Sequence, residues 1–187
     1  IAQIYSAVGK LRNVDKIVRP FRMPHHTITK VGITGGGKDI KPGEITLAHN
    51  GILFLDEILE FKKEVLECLR EPLEEKSICI NRLNKETKFP ADFLLVGAFN
   101  PSENKIGSEI WQEKEVYCEA DTKKYNNKFS KALLDRIDIM NYVPRLPYGE
   151  IQNKDDEYTS KNMKQYVIKA REIQKNRFKG TEYKFNS

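Results

Sequence analysis

Cysteine is scarce in this chain, and the few present are poorly placed for one another. Cys68, Cys79 and Cys118 are odd in number and far apart. That argues against a disulfide framework or a Cys-x-x-Cys metal site and fits a reducing cytoplasm. Long apolar runs are lacking as well. None approaches the ~20 residues of a membrane-spanning helix, so no membrane partner is expected. Residues 1–12 hold few apolar side chains and no cleavage pattern, and nothing there reads as a signal peptide. No internal repeat or low-complexity tract breaks the chain.

What remains is a globular composition. The 187 residues are 39% apolar and 32% charged, enough for one sizeable core with an appendage. The formal charge of +5 is unevenly spread. Residues 158–187 hold eight Lys/Arg against two Glu, so that segment is +6 and the rest is −1. A basic C-terminal segment offers a face to nucleic acid. A solvated, lysine-rich helix carries the same signature.

The most informative stretch is Ile52-Leu53-Phe54-Leu55-Asp56-Glu57, entered through Gly51. Four apolar residues closed by two acids read as a strand of a parallel sheet, buried on both faces. The acids then lie at the carboxyl end of the strand, where open α/β sheets place ligands. In P-loop NTPases an Asp here holds Mg²⁺ and an adjacent Glu polarises the attacking water. An ordinary buried strand ending in a solvated acidic turn would look the same.

Upstream, Arg19-Pro-Phe-Arg-Met-Pro-His-His26 has two prolines that forbid a helix interior. With no third ligand at suitable spacing, His25 and His26 read as loop histidines making ordinary hydrogen bonds rather than as metal ligands. Gly32 to Lys38 satisfies G-x-x-x-x-G-K, but Asp39 stands where the phosphate loop needs Ser or Thr. Lys41-Pro42-Gly43 then stops any helix that would follow. The segment is expected to be a mobile glycine loop. Residues 59–76 show helical periodicity through Phe61, Val65, Cys68 and Leu69. Residues 77–89 read as a β-hairpin turning at 83–86, and 93–99 as a second apolar strand ending in Asn100-Pro101. Residues 101–128 form a long polar connection, and Ser130 caps a short helix through Leu133-Leu134-Asp135-Arg136. A strand is expected over 137–143, a linker over 147–157, and a basic helix over 159–177.

The order of these motifs resembles the AAA+ ATPases and, more closely, the magnesium-chelatase-like family. That family includes helicases that migrate DNA branches during bacterial transformation and recombination. The resemblance rests on the Arg19–His26 motif, Gly35-Gly-Gly37, Pro42-Gly-Glu44, Leu47-Ala-His-Asn-Gly-Ile-Leu-Phe-Leu-Asp-Glu57, Leu69-Arg-Glu-Pro-Leu-Glu74, Ala98-Phe-Asn-Pro101 and Leu133-Leu-Asp-Arg-Ile-Asp138. It covers nearly the whole chain.

It implies Asp56 as the Walker B ligand of Mg²⁺ and Glu57 as the residue that activates water. Asn100 matches sensor 1 and orients that water beside ATP. Arg136 matches the arginine finger, unpaired in its own subunit and delivered to a neighbour in a ring, a hexamer in the parent protein. Residues 77–90 match the hairpin before sensor 1, and 31–44 an insertion that faces DNA in related helicases.

The implied fold is a partial α/β AAA+ core over 1–147, lacking its first strand and phosphate loop, followed by a linker and the start of a helical lid over 148–187. The chain is expected to be an excised piece of a larger cytoplasmic ATPase, inactive alone, whose parent couples ATP and Mg²⁺ to DNA remodelling. Porphyrin metallation and a non-catalytic assembly role are the alternatives. Relatives carry paired cysteines after Asn-Pro. Here Ser102-Glu103-Asn104 follows and only Cys118 remains, so no zinc cluster is expected, nor one rebuilt from Glu103, Glu119 and Asp121.

Overall fold

A computed structural model describes residues 1–9, 18–82, 85–100, 127–141, 143 and 159–182. Contacts divide the chain into two units, Ile1–Asn141 and Tyr142–Ser187. In chain order the first unit contains α1 (Ala2–Ala7), β1 (Phe21–Arg22), α2 (Lys30–Thr34), β2 (Gly35–Gly36), β3 (Lys41–Pro42), α3 (Glu44–Leu47) and β4 (Ile52–Leu55). A 3-10 turn (Ile58–Glu60), α4 (Lys63–Glu67), α5 (Arg70–Glu75), β5 (Ser77–Arg82), β6 (Lys85–Pro90), β7 (Leu94–Gly97) and α6 (Lys131–Leu134) follow. The second unit contains α7 (Ser160–Arg177).

The apolar run at Ile52–Leu55 is the central strand of a parallel sheet ordered β1-β4-β7. Its register sets Phe21, Ile52 and Leu94 side by side, and aligns Phe54 with Val96. Because side chains alternate across a strand, these five share one face and Leu53, Leu55 and Leu95 share the other. Leu53 and Leu55 are fully buried, in a core with Ile33, Ile45, Phe61 and Val65.

The opposite face differs from the sequence expectation of burial on both sides. Among the described residues Phe21 stacks on Phe54 with ring centroids 6.0 Å apart, while Leu94 stays 61% exposed. An apolar run reports that a strand is suited to a covered sheet. It does not say which segments cover it.

Two contacts fix β1 against its neighbours. The Arg22 guanidinium donates through Nε and Nη2 to both carboxylate oxygens of Glu44, at 2.6 and 2.7 Å. This fork also raises the Arg22 pKa. At Gly51 an added Cβ would lie 2.0 Å from the Pro20 carbonyl oxygen, the same atom that accepts from the Ile52 N–H. Only glycine admits that approach.

The hairpin is present, with Ser77 paired to Pro90 and Arg82 to Lys85, so its connection is two residues long rather than four. Ser130 caps α6 by accepting from the Leu133 N–H, and Thr159 caps α7 by accepting from the Asn162 N–H.

Three expectations need correction. Residues 59–76 are not one helix but a 3-10 turn, α4 and α5. Phe61 is extended and fully buried, which breaks the first join. Pro72 lies in the first turn of α5, where no amide donor is needed. The glycine segment is not a loop: Gly32 lies in α2, and Gly35 and Gly36 pair with Lys41 and Pro42 in a small antiparallel hairpin. α2 precedes Gly35–Gly37 and residues 37–40 form a turn, so no helix starts at Lys38–Asp39, where a phosphate loop would need one. The strand expected over 137–143 is not formed in its described part, where Ile139, Met140 and Val143 are exposed. The 101–126 connection, with Cys118, Glu103, Glu119 and Asp121, lies outside the described residues, as do the 83–84 turn and the whole 147–157 linker.

Candidate functional site

The site grows from the carboxyl end of β4. The ladder to β7 runs on past both strands, with the Ala98 N–H donating to Leu55 and the Ile58 N–H donating to Ala98. Asp56 and Glu57 occupy the turn inside that clasp. Glu57 takes a left-handed backbone, φ 50° and ψ 46°. This is uncommon for a residue with a Cβ, costs on the order of 1–3 kcal/mol and clusters at functional sites. Its N–H donates to Asp56 Oδ1 at 3.0 Å, which pins the neighbouring carboxylate. Both side chains remain exposed. Asn100 follows three residues after the end of β7, the strand paired with β4, and is also exposed. Parallel pairing therefore brings the two predicted strand ends to one edge of the sheet.

The chain leaving β1 reaches the same edge. Met23, Pro24, His25, His26, Asp56 and Glu57 line a cleft of about 150 Å³. Nδ1 of His26 lies 3.2 Å from Oε2 of Glu57. The His26 ring stands 4.0 Å from that of His25 and meets buried Phe61 edge-on at 6.4 Å. His25 in turn contacts the Thr27 hydroxyl at 3.0 Å. Both histidines thus make polar contacts. The approach of His26 to Glu57 was missed in sequence. The signal was the short Phe21–Arg22 strand, whose parallel pairing with β4 carries residue 26 to the acids.

Arg136 lies elsewhere. With Glu67, Arg70, Glu71, Glu74 and Glu75 it lines a cleft of about 340 Å³ along α5. Contrary to the expectation of an unpaired guanidinium, Nη2 donates to Glu74 and Nη1 to the Ala132 carbonyl. An intramolecular ion pair with Asp135, Asp138 or a helix acid is the alternative that the sequence leaves open for Arg136; the fold selects the helix acid Glu74, 62 residues away. On the cleft wall, a hydrogen bond from Ser130 holds the Glu67 carboxyl below its usual range.

Asp56 fits a divalent cation of the hard, oxygen-seeking kind. Among the described residues no group of three His, Cys, Asp or Glu could hold a metal. Mg²⁺ does not need one, since it keeps several waters and binds through one or two carboxylates plus substrate phosphates. Bound there with a nucleotide, it would supply charge neutralisation to the phosphates. Among the described residues the two thiols are held toward the protonated form, which does not ligate metal. Burial pushes the Cys68 thiol up, and the hydrogen bond to Glu86 does the same for Cys79.

A family model described as magnesium chelatase, subunit ChlI, matches residues 1–151. The chain belongs to this family. It is 45% identical to Competence protein ComM of Haemophilus influenzae over 162 residues, covering 85% of this chain and 31% of that one. It is 39% identical to YifB of Salmonella typhimurium over 181 residues, covering 93% and 35%. The chain thus spans about a third of the length of these relatives. Among solved structures, NtrX from Brucella abortus in complex with ADP is similar at a TM-score of 0.45 and 19% identity, over 65% of this chain and 24% of that one. The magnesium-chelatase-like chain carries part of a mixed α/β AAA+ core built on a parallel sheet, in a family of nucleotide-binding ATPases. No helix among its described residues is long and apolar enough to cross a membrane.

Proposed function

We propose that this chain is the water-activating half of a Mg²⁺-dependent ATPase site whose parent protein works as a ring on DNA. The observation that carries the reading is the clasp of β4 and β7, which sets Asp56 and Glu57 at the same sheet edge as the segment leading to Asn100. In this account Asp56 ligates Mg²⁺, Glu57 orients and polarises water, and Asn100 holds that water in line with the γ-phosphate. Phosphoryl transfer is mostly positioning and charge neutralisation, so three modest polar groups on rigid strand ends are sufficient machinery for this half. Arg136 serves the nucleotide of an adjoining subunit.

Two observations favour DNA as the substrate. The relative at 45% identity is a competence protein. In addition, α7 exposes Lys161, Lys164, Lys169, Arg171, Lys175 and Arg177, and clustered cations of this kind neutralise phosphates. The family description itself, magnesium chelatase, supports the rival reading of a motor for porphyrin metallation.

ATPase assays on the full-length gene product, with and without branched DNA, separate the two. The DNA reading expects Mg²⁺-dependent turnover that rises several-fold with DNA and loses that rise at high salt. Turnover indifferent to DNA at every salt concentration would contradict it.

A further inference from the structure

His26 has no role in the chemistry assigned above, yet its side chain is the one that reaches Glu57 in this cleft. Glu57 carries three rotatable side-chain bonds and is 58% exposed. An exposed carboxylate at a turn has little to choose its rotamer unless something holds it. Its Oε2 lies 3.2 Å from His26 Nδ1.

His26 is far better held. Its ring is 30% exposed, lies against His25 and abuts Phe61 at the edge of the core. The segment carrying it is anchored by the Arg22–Glu44 fork and by the pairing of β1 with β4. A fixed ring therefore faces a mobile acid, so the ring sets the position of the acid. A carboxylate oxygen only accepts, so a hydrogen bond across this 3.2 Å gap would have to be donated by Nδ1.

We infer that His26 is a positioning residue for Glu57: Nδ1 holds one carboxylate oxygen, Oε2, so that the other, Oε1, is presented to water. The inference rests on the ATPase reading, since only there does the direction of the Glu57 carboxylate matter to turnover. Water activation depends on a carboxylate within hydrogen-bond reach of its target, and a misplacement of about 1 Å can cost about a hundredfold in rate. The device belongs to the turnover step rather than to nucleotide binding, because His26 touches the activating acid and not Asp56.

Asparagine and glutamine distinguish this role from a merely structural one. The Asn side-chain amide reproduces a donor near the Nδ1 position, whereas the Gln amide reaches the Nε2 position. In the full-length gene product, His26→Ala should lower kcat for ATP about tenfold to a hundredfold, with KM changed less than about threefold. His26→Asn should recover most of the loss and His26→Gln should not. On a Glu57→Gln background, His26→Ala should cost nothing further, because it acts through Glu57.

Imidazole nitrogen NMR of the nucleotide-free protein supplies a readout independent of turnover. It should show a proton on Nδ1 of His26 whose signal moves in Glu57→Ala. An unprotonated Nδ1, equal recovery by Asn and Gln, or a rise in KM at constant kcat would overturn the role of His26. A wild-type protein that shows the NMR contact but hydrolyses no ATP would instead sink the ATPase reading, and with it the function of the contact.

Discussion

Arg136, just past the end of α6, donates through Nη2 to the carboxylate of Glu74 on α5 while Nη1 donates to the Ala132 carbonyl. The guanidinium is thereby aimed along α5 and is committed within its own subunit. A carboxylate and a phosphate present the same fork-matching oxygens to arginine, so under the proposed trans role a neighbour's nucleotide would have to take the place of Glu74 on this guanidinium. With the two side chains 25% and 60% exposed, such a pair contributes at most about 1 kcal/mol, which a trianionic ligand can displace.

Arg136→Ala in the full-length gene product should therefore fold, bind ATP and lose turnover by about a thousandfold or more. Glu74→Gln should leave turnover intact or raise it. Mixing the Arg136→Ala and Glu57→Gln proteins should restore part of the activity, because some interfaces then pair an intact Glu57 with an intact Arg136. Normal hydrolysis by Arg136→Ala would remove the trans role.

Gly51→Ala tests the seam between β1 and β4. The new Cβ would lie 2.0 Å from the Pro20 carbonyl oxygen, a backbone atom that cannot rotate away. A loss of at least about 1–3 kcal/mol is expected from this overpacking, read as a lower thermal midpoint. Since the same seam carries His26 to Glu57, turnover at a permissive temperature should fall as well. A midpoint within one degree of wild type would contradict the register described for β1.

Much of the fold was legible because local chemistry and tertiary structure agree. Ile52–Leu55, Leu94–Gly97, the Ser77–Pro90 hairpin and the Ser130 cap form where periodicity, β-propensity and a side-chain oxygen put them. What was not legible depended on partners remote in sequence. Ile139 and Val143 alternate like a strand, but pattern alone supplies no neighbour to pair with. The Gly35–Gly37 run looks like a loop, yet all three glycines take positive φ to turn a tight hairpin against Lys41 and Pro42. The acids Asp56 and Glu57 were readable from the strand that ends in them. The partners His26 and Glu74 were not, since each meets its residue only through the fold.

His49 gives the stability a defined pH dependence. Burial lowers its pKa below the usual 6.5, and its Nδ1 accepts the Asp92 N–H at 3.1 Å, which requires that nitrogen to be bare. In the acid range the unfolded chain binds the proton more readily than the folded one, so stability rises with pH. The contribution is present above about pH 6.5 and is lost as pH falls through that value toward the lower folded pKa. Thermal midpoints between pH 5 and 7.5 should show the slope. His49→Asn, which keeps an oxygen acceptor near the Nδ1 position and does not titrate, should reduce it. An unchanged slope in that variant would assign the dependence to another group.

The most direct test of the site at the end of β4 is single-turnover ATP hydrolysis by the full-length gene product carrying Glu57→Gln, with ATP binding measured on the same sample. Glutamine keeps the shape and removes the carboxylate, so binding should stay within about threefold of wild type while hydrolysis falls by about a hundredfold or more. Hydrolysis within twofold of wild type, with ATP still bound, would show that Glu57 does not activate the water.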